Sequence, residues 1–130
     1  MPDKTKYWLE LCDDDLLTAE VLLEKQRLLH MGFFCHLVAE KALKAVIASQ
    51  IDANPPHIHN LTTLASRSGV SPYLSENQLS LLEQLNPLQI EARYPEYKGS
   101  IAATLTYDRC RKIYSETEGF LCWIKQRLGK

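Results

Sequence analysis

Glycine is sparse in this chain: five residues spread over 130 positions. No glycine-rich loop of the kind that cradles phosphates is present. A G-x-S-x-G elbow and an H-E-x-x-H pair are also missing, which removes the commonest hydrolase and metalloprotease layouts. The four cysteines, Cys12, Cys35, Cys110 and Cys122, form no C-x-x-C pair, so the sequence offers no zinc or disulfide framework. Three of them fall among apolar residues at helical spacing, where a free thiol acts as a small hydrophobe. No apolar run approaches the ~20 residues needed to span a bilayer. The first ten residues, MPDKTKYWLE, have no apolar stretch behind their basic residues, so no secretory signal is expected and the cytoplasm is the expected location. A net charge of −1 gives no global basic field for nucleic acid. Period-two strand patterns, internal repeats and low-complexity segments are absent.

What remains is helical. A hydrophobic fraction of 45% and a charged fraction of 24% argue against disorder, and 130 residues suit one domain, residues 1–130. Residues 4–27 read as a helix. At about 100° per residue, Trp8, Leu9, Leu11, Cys12, Leu16, Ala19, Leu22 and Leu23 share one arc. Asp15 breaks that arc. A second helix over Met31–Gln50 is apolar nearly all round, which marks it as the most enclosed. Its polar residues His36, Glu40 and Lys44 span only ~80°, with Lys41 at the margin. An exposed Glu40–Lys44 pair explains two of them but not His36.

Pro55 and Pro56 make the stretch up to His59 a connector. Asn60 is a good N-cap for a short helix ending at Ser68-Gly69. The pair His57 and His59 brings no further metal ligands at useful spacing, so a helix-entry role is expected for His59. Ser75 or Asn77 starts a fourth helix with Leu79, Leu82 and Leu85 inward. Residues 86–105 are interrupted by Pro87, Pro95 and Gly99, and a connection this long tends to carry function. Pro95 directs Arg93-Tyr94-Pro95 into a fixed bend. A last helix over 106–128 carries Cys110, Ile113, Tyr114, Phe120, Leu121, Ile124 and Leu128 on one stripe. The expected fold is all-α, an antiparallel up-and-down four-helix bundle with a short extra helix across one end.

Charge is uneven along this frame. Residues 1–30 hold seven acids against four bases, and residues 106–130 hold six bases against three acids. The last helix therefore presents either a solvated face or a basic strip for a phosphate backbone or acidic partner. A carboxylate on an apolar arc costs several kcal/mol unless paired, in order of magnitude. Asp15 should accordingly have a partner, with Arg93, Lys44 or a tyrosine hydroxyl as candidates. The pair either fixes helix register or holds Arg93 so that its fork meets a phosphate.

Three segments carry a family resemblance: DDDLLTAEVLL, FFCHLVAEKALKAVI, and HNLTTL together with ARYPEY. In this order and spacing, from about residue 7 to 127, the chain resembles the HEPN family of small helical domains. The resemblance implies a homodimeric bundle of the stand-alone prokaryotic kind, often paired with a minimal nucleotidyltransferase in a toxin–antitoxin system. It implies either nucleotide binding or metal-independent RNA cleavage. The cleaving members use an arginine followed a few residues later by a histidine near the last helix. Here no histidine occurs beyond His59, and Tyr97 lies four residues after Arg93. A phenol is a poor base near neutral pH, so the missing imidazole points away from catalysis. The expected site is one that binds a nucleotide, phosphate ligand or RNA through Arg93, Lys44, His59, Tyr94 and Tyr97, supported by Asp15, Glu40 and His36. It calls for no metal and no cofactor. A ribonuclease with Tyr97 or His59 as unorthodox partner is the alternative. Trp123, off the main stripe, is expected to contribute to spare apolar surface for the two-fold contact.

Overall fold

A computed structural model describes residues 2–51, 54–89 and 104–129. Three long helices carry the architecture: α1 (Asp3–Glu24), α2 (Leu28–Gln50) and α5 (Tyr107–Leu128). Between α2 and α5 lie α3 (Leu61–Ser68), a 3-10 turn (Ser71–Tyr73) and α4 (Glu76–Leu85). No strand occurs among the described residues, and the fold is all-α as the periodicity predicts. None of these helices is long and apolar enough to cross a membrane.

The continuous apolar surface of α2 makes it the centre. Every residue from Ala42 to Ala48 is buried, and α1, α3, α4 and α5 all pack against this helix. Side-chain contacts set its register with α1. Lys44 lies over the Trp8 ring, the Cys12 thiol reaches the Val38 carbonyl, and Lys41 meets Asp15. Trp8, early in α1, meets Lys44, while Cys12 and Asp15, further along, meet the earlier α2 residues Val38 and Lys41, so α1 and α2 are antiparallel. The same holds for α1 and α5, through Glu20–Tyr114 and Asp13–Lys125. Cys110, Ile113, Phe120, Leu121 and Ile124 of α5 fill the core beside Leu43 and Leu64. Leu79 departs from expectation. It is exposed, and Leu81, Leu82 and Leu85 form the inward face of α4.

Burial also settles the cysteines. Cys12, Cys35 and Cys110 are buried free thiols and Cys122 is exposed. Burial pushes the Cys35 thiol up to about 12 and raises Cys12 and Cys110 as well.

Local chemistry fixes the helix ends. The Asn60 side chain accepts from the Thr63 N–H at 3.0 Å, and Asn86, just past α4, accepts from the Leu61 N–H at 2.7 Å. Two of the orphan donors at the start of α3 are thereby satisfied. Ser75 and Gln78 form a capping box for α4, and Thr106 caps α5.

The α1–α2 junction lies three residues earlier than the periodicity predicts, because no glycine or proline marks it. Instead Arg27 N–H bonds to the Leu22 carbonyl and Gln26 N–H to the Leu23 carbonyl. This is a Schellman closure, with Gln26 at φ 55° in the left-handed position usually given to glycine. Gly69 fills the matching position after α3 at φ 84°. The two turns predict opposite outcomes in urea denaturation. Gln26→Gly should stabilise by roughly 0.5–1 kcal/mol, and Gly69→Ala should destabilise by about 1 kcal/mol.

Candidate functional site

A carboxylate inside α2 organises the polar residues. Glu40 is 4% exposed and Lys44, one turn on, is 5% exposed, so the pair is not the surface strip that spacing alone allows. Lys44 Nζ donates to Glu40 Oε2 at 3.0 Å and sits 5.8 Å from the centroid of the Trp8 ring. His36, fully buried one turn before Glu40, places Nδ1 3.6 Å from Oε1. From outside the helix His59 brings its Nδ1 to 3.1 Å from both carboxylate oxygens. Its side chain remains 47% exposed. One anion is therefore approached by a lysine and two imidazoles, and His59 forms the wet edge of the cluster.

The connector explains how His59 arrives there. It precedes the Asn60 cap, and α3 is held against α2 by the bond from Gln50 Nε2 to the Ser68 carbonyl at 2.8 Å. The ring thus enters from a fixed helix start, as expected for a helix-entry residue, but it also closes over Glu40. His57 is exposed and does not share this role.

Asp15 has a different partner from those expected. Its Oδ2 is 2.6 Å from Lys41 Nζ, with side chains 12% and 21% exposed respectively. Lys41 sits at the margin of the α2 stripe that faces α1, whereas Lys44 is claimed by Glu40. Asp15 therefore belongs to a separate ion pair in the α1–α2 seam. Arg93, Tyr94 and Tyr97, with the bend at Pro95, lie outside the described residues.

The bases of the last helix do not line up as a strip. Lys125 pairs with Asp13 at 2.6 Å, and Arg109 donates to Thr104. Arg111 lies over Tyr107, while Arg127 lies between the rings of Tyr73 and Trp123 at 4.6 and 5.0 Å. That stacking partly covers the surface expected at Trp123. The strongly exposed apolar side chains of α1 are Tyr7, Leu17 and Val21. A groove of about 640 Å³ between α1 and α5 lies apart from the Glu40 cluster; Glu20, Asp108, Arg111 and Lys112 are among its lining residues. There Tyr114 donates to Glu20 at 3.3 Å, and burial, with that carboxylate, pushes its hydroxyl up to about 12.

The seam pair gives a stability prediction. Asp15→Asn should lower the unfolding free energy by about 3 kcal/mol, since Lys41 is left mostly enclosed without its counter-charge. The double variant Asp15→Leu/Lys41→Met should recover most of that loss in the same denaturation experiment.

Similarity to known proteins agrees with this architecture. A family model described as the HEPN domain matches residues 5–128, nearly the whole chain. No curated protein and no solved structure matches it. The helical order, the buried stripe of α2 and this match lead to one assignment: the chain belongs to the HEPN domain family.

Proposed function

We propose that this HEPN domain is a nucleotide- or phosphate-ligand-binding and interaction module. The observation that supports it is the buried Glu40 cluster, whose exposed edge is the His59 imidazole. Burying a lysine, a glutamate and a histidine together carries a desolvation cost that a purely structural helix face avoids by using apolar residues. Lys44 and His59 supply donors for phosphate oxygens, with Glu40 and His36 holding them. Arg93 adds the forked cation and Tyr94 and Tyr97 the aromatic surface that a nucleotide needs. Family membership supports a nucleotide- or RNA-related role in general terms. The finer reading is a cytoplasmic homodimer that docks a minimal nucleotidyltransferase within a two-component, toxin–antitoxin type pair.

A second reading, a metal-independent ribonuclease toxin, is favoured by one contact. His59 Nδ1 faces a buried carboxylate, the arrangement that orients an imidazole for proton exchange.

Arg93→Ala separates these readings from a structural role. Titration calorimetry with nucleoside triphosphates should give heat that the variant abolishes; equal heats from both proteins refute the assigned site. Under the ribonuclease reading, tRNA incubated with the purified protein is cut and the variant leaves it whole. Intact tRNA at high protein concentration sinks that reading. Assembly has its own check: light scattering at micromolar concentration should report twice the 14.9 kDa chain mass, and a monomer refutes the homodimer.

A further inference from the structure

We infer that Glu40 dictates the tautomer of His59, so that the outward ring nitrogen, Nε2, donates to a ligand phosphate only when the imidazole is protonated. This rests on the phosphate-binding reading above and assigns His59 its part in that site.

The geometry leaves the ring little choice. Nδ1 stands 3.1 Å from both oxygens of Glu40. Lys44 Nζ donates to Oε2 at 3.0 Å, so the carboxylate presents acceptors to the groups around it. A neutral imidazole has one N–H, and the contact with the carboxylate claims it at Nδ1. Nε2, across the ring on a side chain that is 47% exposed, then carries a lone pair. A lone pair facing a phosphate oxygen is repulsive. An unheld histidine escapes this by moving its proton to Nε2, but here that move leaves Nδ1 and Glu40 as two acceptors face to face. Protonation resolves the conflict, because the imidazolium donates to Glu40 and to phosphate at once.

The other titratable ring against Glu40 among the described residues is His36, which is fully buried and lies 3.6 Å from Oε1. Among the described residues, the charged and titratable groups in ion-pair contact with this cluster are Glu40, Lys44 and His36, all from α2. From α1 the cluster receives the neutral Trp8 ring, and α3 begins with the uncharged cap Asn60. Lys44 and Glu40 offset one another within the cluster, so protonation of His59 adds one positive charge at its exposed edge. Binding then takes up a proton at His59, and affinity must rise as pH falls.

Calorimetry with adenosine triphosphate across the histidine range tests this. From about pH 8 to about pH 6 the wild-type affinity should rise about tenfold more than that of His59→Gln, the gain of one charge-assisted hydrogen bond. His59→Gln carries a donor that does not titrate, and the ionisation of the ligand is common to both proteins and cancels. Glu40→Gln should flatten the same slope, because an amide there can donate to Nδ1 and release the ring proton to Nε2. A ligand-free readout covers the case in which Glu40→Gln fails to fold: ¹H–¹⁵N correlation spectra of the wild type should show neutral His59 as the Nδ1–H form. An Nε2–H ring, or a pH slope that survives in His59→Gln, overturns the inference while leaving nucleotide binding intact. Absence of binding at every pH overturns the underlying reading, and the phosphate-donor role of His59 with it.

Discussion

A single carboxylate inside the central helix sets the terms for the polar contacts of this molecule. Glu40 is almost fully withdrawn from water, and a bare anion there is untenable. Lys44 from the next turn, His36 from the preceding turn and His59 from the connector gather around it. The α2–α3 connection must therefore return to the middle of α2 rather than run past its end. Pro55, Pro56 and the Asn60 cap give that connection its shape, and Gln50 anchors the far end of α3. Leu61, Leu64 and Ala65 pack the short third helix on the core, and its start lies where His59 meets the buried carboxylate.

The second buried pair, Asp15–Lys41, acts on a different coordinate. It lies in the seam between α1 and α2 and fixes their sliding register, alongside the Cys12 contact to the Val38 carbonyl. The two pairs draw on adjacent lysines of one helix for separate purposes. Lys41 pairs with Asp15 of α1, whereas Lys44 pairs with Glu40 and lies over the Trp8 ring. A 3.6-residue period places the two side chains about 60° apart, enough to serve different neighbours.

Much of this was legible in the sequence because it is local. The all-round apolarity of α2 announced the central helix, and Asn60, Ser75 and Thr106 each cap at or beside the predicted starts. The isolation of Asp15 on an apolar arc correctly demanded a partner. Which lysine answers depends on the axial register of two helices, and no window along one helix contains that information. The α1–α2 junction was hidden for a related reason: Lys25, Gln26 and Arg27 are good helix formers, and tertiary packing overrides them. Leu79 looked inward because the phase of a ten-residue helix is poorly fixed by three leucines. The joining of His36 to the Glu40–Lys44 stripe was visible as a pattern, but the arrival of His59 at its centre is a long-range contact.

The hydrogen bond from the Leu61 N–H to Asn86 joins two helix ends that lie 25 residues apart in sequence. Asn86 caps a helix other than the one it follows, so the exit of α4 and the entry of α3 are one mechanical unit. His59 stands two residues before that joint. Fraying at the end of α4 is therefore transmitted to the imidazole that meets Glu40, across a span that the local sequence around His59 does not contain.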